Sequence, residues 1–207
     1  MEHFDVIVIG AGSGLNISSA TSSKGLKTAI VEKGPMGGTC LNRGCIPSKM
    51  IIHSADVAET IKNAKHFGIN SKGFTIDFKK VTERASKIVD KDARDIENGI
   101  RSDKNTTLFK TEAKFIGYKT LQVGNKTIKG DKIIIAAGTR PSIPKIEGLD
   151  KVDFMTSDEA LRLTKQPKSL TIIGGGYIAA ELAHFYGALG TKINIIQRRD
   201  VLIPNED

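Results

Sequence analysis

Twice in this chain a short aliphatic run ends in a cluster of glycines. Val6-Ile7-Val8-Ile9 runs into Gly10-Ala11-Gly12-Ser13-Gly14, and Leu170-Thr171-Ile172-Ile173 runs into Gly174-Gly175-Gly176. An aliphatic run of this kind is the pattern of a strand buried on both faces, as in parallel sheets. A glycine turn then lets the following helix start directly over the strand end. The first run is followed by a helical stretch, 15–24, and a second strand, 28–31, closing at Glu32; the second by a helix to about Leu189 and a strand over 192–196. The expected fold is therefore α/β, with two Rossmann-like β-α-β domains related by internal duplication. The boundaries are 1–145 for the first domain and 146–207 for the start of the second, which is incomplete.

The stretch between the two units carries its own signals. Residues 47–66 have a helical pattern, and so do 79–100, where Val81, Ala85, Ile88, Ile96 and Ile100 fall near one face. Lys114 to Lys132 alternates, with turns expected at Gly117, Gly124-Asn125 and Gly130, which predicts a small antiparallel meander. Ile133-Ile134-Ile135 returns as a buried strand, and Pro141, Pro144 and Gly148 mark a linker.

Composition narrows the function classes. The net charge is +8, but the 31 basic and 23 acidic residues are interspersed, as in a solvated surface. With 5% aromatic residues and no Trp, there is little material for base-stacking platforms, so nucleic acid is not an expected partner. No apolar run approaches the ~18 residues of a membrane span, and the N-terminus lacks a basic region and a cleavage site. A cytoplasmic protein with no membrane association is expected.

Each glycine turn has the layout of a dinucleotide site, in which backbone N–H groups and a helix N-terminus approach a pyrophosphate. Glu32 lies near the ~20-residue spacing at which an acid accepts hydrogen bonds from ribose hydroxyls. Leu15 stands where a third glycine usually permits close helix packing, so the first helix is expected to sit slightly farther out. In the second turn, Gly174, Gly176 and Ala179 give the G-x-G-x-x-A pattern. Gln197 occupies the position of the usual acid and is followed by Arg198 and Arg199. Arginine suits a 2′-phosphate, so NADPH is expected to be favoured over NADH. His184, in an otherwise small and apolar helix, reads as a packing or surface residue.

The two cysteines, Cys40 and Cys45, stand in Gly37-Gly38-Thr39-Cys40-Leu41-Asn42-Arg43-Gly44-Cys45-Ile46-Pro47-Ser48-Lys49. In a reducing compartment such a pair is catalytic or metal-binding rather than a structural staple. Metal is disfavoured, because two thiolates need further ligands and His3, His53, His66 and His184 show no ligand spacing. A redox disulfide is the expected role. Pro47 is tolerated in a first helical turn, which puts Cys45 at a helix start, where open N–H groups favour a thiolate nucleophile. A regular helix would hold the two Cα atoms beyond the ~4.4 to 6.8 Å of a disulfide, so the segment must be distorted, and its glycines make that easy.

The cysteine segment resembles the redox-active signature of the class I pyridine nucleotide-disulfide oxidoreductases, a family that includes dihydrolipoyl dehydrogenase, glutathione reductase, mycothione reductase and mercuric reductase. The resemblance extends in order to both glycine turns, to Ile135-Ala136-Ala137-Gly138-Thr139-Arg140-Pro141 and to Thr156-Ser157-Asp158-Glu159. Ala137 stands where relatives usually have Thr.

The resemblance implies FAD in the first domain, contacted by Gly10, Gly12, Ser13, Gly14, Glu32 and Lys33. Gly38, Thr39, Cys40, Lys49, Ala113, Ala136, Ala137 and Gly138 complete that set. It implies that Cys45 is the sulfur beside the flavin and Cys40 the interchange thiol, with Lys49 near flavin N5 and Glu181 its ion-pair partner. NAD(P), with NADP favoured, would be held by Gly174, Gly176, Tyr177, Ile178, Glu181, Gln197, Arg198 and Arg199, with Tyr177 covering the nicotinamide side. The implied activity is electron transfer between NAD(P)H, FAD, the Cys40/Cys45 disulfide and a small dithiol or disulfide. The cysteine segment is most similar to that of dihydrolipoyl dehydrogenase, and the Gln197-Arg198-Arg199 end to NADPH-linked mycothione or glutathione reductases. Full-length family members are expected to be homodimers, with dehydrogenase-complex partners in the dihydrolipoyl dehydrogenase case. The family's His-Glu acid/base pair and its dimerisation domain would lie beyond Asp207. The 207 residues are thus expected to be incomplete for turnover, and a truncated FAD-binding remnant is the reading from another class. A thiol-disulfide exchange protein without flavin is a third.

Overall fold

The computed structural model describes residues 1–203; the last four residues of the expected 146–207 domain lie outside it. The chain forms two compact units, Met1–Gly44 with Ile88–Ser142, and Cys45–Lys87 with Ile143 onward.

The first unit is built on a six-stranded sheet. Strand β1 (Glu2–Ile9) leads through helix α1 (Gly14–Ser23) to β2 (Thr28–Val31), the expected β-α-β unit. Helix α2 (Gly38–Arg43) follows. Four further strands complete the sheet: β3 (Thr106–Phe109), β4 (Ala113–Gly117), β5 (Thr120–Val123) and β6 (Lys126–Ile135). The strand order is β3-β2-β1-β6-β5-β4, parallel from β3 to β6 and antiparallel through β5 and β4. Phe4, Ile7, Ala29 and Val31 pack with Phe109, Leu121 and Ile128 in one apolar cluster. Burying each large aliphatic or aromatic side chain stabilises by roughly 1.5 to 3 kcal/mol.

Three expectations for this unit are corrected. Ile133-Ile134-Ile135 ends β6 but is not buried, Ile133 and Ile134 being half-buried and Ile135 exposed. No turn forms at Gly130: β6 passes through it without a break, paired with β1 from Glu2 to Ile9. A glycine stands there because a Cβ would come within 2.8 Å of the Ile7 side chain. Nor does α1 need to sit farther out. Gly14, one residue before Leu15, supplies the close approach, since a Cβ there would lie 2.7 Å from Val8 Cγ1. Strand β3 was not expected. Its Thr-Thr-Leu-Phe sequence is short and carries no glycine cue.

The second unit contains helix α3 (Cys45–Asn63), extended by a 3-10 turn over Ala64–Phe67, and the short helix α5 (Ser157–Ala160). It also holds the second β-α-β unit, β7 (Ser169–Ile173), α6 (Tyr177–Ala188) and β8 (Lys192–Ile196), with β7 and β8 parallel. Helix α5 is closed by a capping box, Thr156 Oγ1 accepting from the Asp158 N–H and Glu159 Oε2 from the Thr156 N–H. Residues 45–87 group with this unit rather than with the sheet that precedes them, because Ile51, Ala55 and Ala58 of α3 share a core with Leu182, Phe185 and Tyr186 of α6.

Helix α4 (Phe78–Ser102) carries the chain from one unit to the other. Its buried positions are Phe78, Thr82, Ala85, Val89 and Ala93, at i,i+3 and i,i+4 spacing, whereas Ile88 is exposed. Three of these five, Thr82, Ala85 and Ala93, are small or polar and carry less weight than isoleucine in a hydrophobicity pattern.

Candidate active site

The carboxyl ends of β1, β2 and β6 open onto a cavity of about 570 Å³. In an open parallel sheet this is where ligands bind. Its wall contains Gly10, Gly12 and Ser13 from the first glycine turn, and Glu32 and Lys33 from the end of β2. Gly38, Thr39 and Cys40 of α2 form another side, and Ala113, Ala136, Ala137 and Gly138 a third. These are expected cofactor contacts drawn from five separate stretches of sequence. Gly14 lies beneath the wall, against Val8 and Ala136.

The cavity floor depends on backbone packed against backbone. Ala136 donates its N–H to the Ile9 carbonyl at 2.7 Å and Gly10 donates to Val31 at 2.9 Å, so the turn is tied to both neighbouring strands. A Cβ on Gly10 would sit 2.1 Å from the Ala136 carbonyl oxygen. Gly37 N–H donates to the Ala11 carbonyl at 2.8 Å, and Asn42 Nδ2 holds the Met36 and Gly38 carbonyls at 2.8 and 2.9 Å. The loop before α2 is thereby docked on the glycine turn. Helix α1 opens with no side-chain cap and no acidic residue in its first turn, a setting that suits an anion, while the Leu15 and Asn16 N–H groups donate to the Gly12 and Ser13 carbonyls at 3.1 and 3.2 Å.

Glu32 accepts from the Ala11 N–H at 3.0 Å through Oε2 and from the Gly34 N–H at 2.6 Å through Oε1. A carboxylate offers about four acceptor sites, so two remain for hydroxyl donors. At the rim, Lys33 Nζ meets Glu112 Oε1 at 2.6 Å, and this ion pair holds the Glu112 carboxyl below the usual carboxylate range. The cradle, with its uncapped helix start, adjacent backbone amides and ribose-suited acid, fits a dinucleotide such as FAD. Thr111, Glu112, Arg43, Thr139 and Arg140 also line the cavity and were not among the expected contacts. Arg43 and Arg140 stand inside the two quoted motifs. Lys33 and Glu112 are far apart in sequence, and no local pattern announces their pairing.

Cys40 lies in α2 and is exposed; Cys45, the first residue of α3, carries an exposed free thiol. The expected distortion is located at Gly44, whose φ of −144° and ψ of −120° separate the two helices. A side chain there would press within 3.1 Å of the Thr39 carbonyl oxygen. In the second unit, Lys49 stands four residues after Cys45, on the same face of α3. Its ammonium pairs with the Glu181 carboxylate of α6, which are the two residues expected to pair. Among the described residues there is no cluster of three or more His, Cys, Asp or Glu side chains able to hold a metal. No described helix is long and apolar enough to cross a membrane.

The second glycine turn has the same construction. Gly174 donates its N–H to the Ile196 carbonyl at 2.8 Å, and Gly176 precedes α6 as its N-cap. Tyr177 and Ile178 are both exposed at the helix start. Gln197 is half-buried, its Nε2 donating to the Val201 carbonyl at 2.8 Å, and a Cβ on Gly175 would strike it at 2.9 Å. Arg198 and Arg199 are exposed just beyond. His184 is a surface residue, as expected, and its Nε2 lies 2.8 Å from Asp56 Oδ1.

The profile of the pyridine nucleotide-disulphide oxidoreductases matches residues 4–207. Among curated relatives, a mycothione reductase of Mycobacterium tuberculosis is 36% identical across 100% of this chain and 46% of its own length. The dihydrolipoyl dehydrogenase of Bacillus subtilis is 34% identical across 99% of this chain and 46% of its own. A mercuric reductase of Lysinibacillus sphaericus is 32% identical across 100% and 38%. The solved structure of the HOCl-induced flavoprotein disulfide reductase RclA from Escherichia coli, in a Cu(II) complex, matches with a TM-score of 0.85 at 28% identity, over 98% of this chain and 44% of that one. The chain therefore spans 38% to 46% of the length of these relatives. Because the match runs from Phe4 through both glycine turns, the chain belongs to the pyridine nucleotide-disulphide oxidoreductase family, a family of flavoenzymes.

Proposed function

We propose that this chain is the FAD-binding and redox-disulfide portion, followed by the start of the nicotinamide-binding portion, of a cytoplasmic disulfide oxidoreductase. Residues 1–145 hold FAD and residues from 146 begin the NAD(P) domain. The observation that carries the reading is the cavity that the glycine turn, Glu32 and Cys40 line together. Bound FAD would supply two-electron chemistry between a nicotinamide and the Cys40/Cys45 pair. Gly10, Gly12, Ser13 and Gly38 would bring backbone to its phosphates, Glu32 would accept from its adenosine ribose, and Lys49, paired with Glu181, would supply a cation for its ring.

Toward substrate, Cys40 acts as the interchange thiol. Its thiolate attacks one sulfur of a small disulfide and releases the other half as a thiolate, which takes up a proton. The Cys45 thiolate then attacks the Cys40 sulfur, closing the Cys40/Cys45 disulfide and freeing the second thiol. Run backwards, the same exchange oxidises a dithiol, as in dihydrolipoyl dehydrogenase, to which the cysteine segment is most similar. A second reading, an NADPH-dependent reductase of a low-molecular-weight disulfide such as mycothione or glutathione disulfide, is favoured by Gln197, Arg198 and Arg199. The full-length protein acts as a homodimer.

The test is spectroscopic and kinetic. The purified protein is expected to be yellow, with about one FAD per chain, and two-electron reduction is expected to yield two thiols that react with an alkylating reagent. A steady-state comparison of lipoamide, glutathione disulfide and a bis-cysteinyl disulfide with each nicotinamide, on the full-length protein, separates the two readings. A colourless preparation whose thiols exchange without flavin would overturn both.

A further inference from the structure

The geometry points to Lys110 as a positioning residue that sets the Glu32 carboxylate at the first cavity, acting through Gly34. The inference rests on the reading of that cavity as a dinucleotide site. Lys110 follows β3, and its ammonium donates to the Gly34 carbonyl while lying 3.0 Å from Glu97 Oε2 of α4. Glu97 is itself fixed, since its Oε1 takes the Arg101 Nε and Nη2 donors at 3.0 and 2.7 Å. A lysine on a mobile stem is thereby held in one place, and it holds Gly34 in turn.

Gly34 connects that anchor to the cavity. Its N–H is one of the two donors to Glu32, and the other, Ala11 N–H, belongs to the glycine turn. There is little slack between them, because a Cβ on Gly34 would lie 3.2 Å from Glu32 Oε1. With Lys110 in place, both oxygens of Glu32 are set by backbone amides, and the remaining acceptor positions face the cavity at fixed angles. Without it, the Gly34 carbonyl loses its side-chain donor and the carboxylate keeps one anchor of two. An exposed lysine that merely decorated the surface would contribute little to stability and nothing to binding. A positioning lysine predicts a defect confined to the end of the ligand that Glu32 reads.

FAD and FMN distinguish these cases, since FMN lacks the adenosine ribose. On the full chain freed of flavin, quenching of flavin fluorescence is measured for the wild type, K110M, K110R, E97Q, E32Q and the distant control K91M. The expected result is FAD affinity weakened on the order of tenfold in K110M and in E32Q, by less in E97Q, with FMN affinity unchanged. K110R restores most of the loss, because a guanidinium can still reach both partners. Exchange of the Gly34 amide hydrogen in the flavin-free chain supplies a readout without ligand, and it is expected to quicken in K110M and E97Q but not in K91M. Equal FAD binding by K110M and wild type overturns the inference. So does an equal loss of FAD and FMN, an FAD defect in K110M that E32Q does not share, or a Gly34 amide unmoved by K110M. Should the wild type bind neither flavin, the reading of the cavity fails, and Gly34 exchange still decides the role of Lys110.

Discussion

A Cβ placed on Gly38 would lie 2.5 Å from the Cα of Gly12, so the segment that carries Cys40 and the first glycine turn meet with no room for a methyl group. Gly38 also has a φ of +64°, where a β-branched residue is strained. Gly38→Val is therefore expected to cost about 1 to 3 kcal/mol of stability from overpacking alone and to lower the flavin held per chain. Denaturant midpoints and the ratio of flavin to protein absorbance check both effects, and a variant with wild-type flavin content would contradict the packing.

Tyr186 is fully buried and donates its hydroxyl to the Ala160 carbonyl at 2.6 Å. Tyr186→Phe is expected to destabilise the protein by about 1 to 3 kcal/mol, because the carbonyl is left without that donor. Burial also pushes the phenol up to about 12, above its ordinary value near 10. A group with its folded value raised contributes stability that is complete below the unfolded value and lost as pH rises through the folded one. Unfolding followed from pH 9 to 12 is thus expected to show a decline above about pH 10 in the wild type and a shallower one in Tyr186→Phe.

Asp103 behaves in the opposite sense. Hydrogen bonds from the Ser22 hydroxyl, the Asn105 N–H and the Thr106 hydroxyl hold its carboxyl below the usual carboxylate range. Its contribution is present above the unfolded value, near pH 4, and lost as pH falls through the lower folded value. Asp103→Asn is expected to lower stability at pH 7 and to flatten the acid limb, as measured by urea unfolding at pH 3, 4, 5 and 7.

The paired guanidinium groups beyond β8 bear on nicotinamide choice. If they meet a 2′-phosphate, replacing Arg198 and Arg199 with neutral residues raises KM for NADPH on the order of tenfold or more while KM for NADH hardly changes. Steady-state kinetics on the full-length protein gives the answer, and equal changes for both nucleotides would remove the argument for NADPH.

Much of this layout was legible in the sequence wherever a local pattern carries a physical requirement. Both β-α-β units, the helix starting at Cys45 and the break before it follow from aliphatic runs, glycines and Pro47. The Lys49–Glu181 pair came from family resemblance alone, since no local spacing links two positions so far apart. What escaped was set by partners distant along the chain. Gly130 read as a turn because only Ile7, on the neighbouring strand, explains why a side chain is forbidden there. Leu15 raised a packing question that Gly14 answers one residue away. The Lys33–Glu112 pair and the Lys110 anchor on Gly34 leave no periodic trace, because each joins two loops that only the sheet brings together.

Strand β1 has its first partner, β2, within the next two dozen residues, but its second, β6, pairs Ile9 with Ile135. A nascent chain emerging from the ribosome therefore carries the centre of its sheet as an open edge until more than a hundred further residues have been made. Such an edge is a template for pairing with the wrong strand, and late closure of long-range pairs is slow. Residues 2–9 are thus a stretch that gains from a chaperone's shelter during synthesis, and a truncation ahead of β6 leaves one side of β1 open to mispairing.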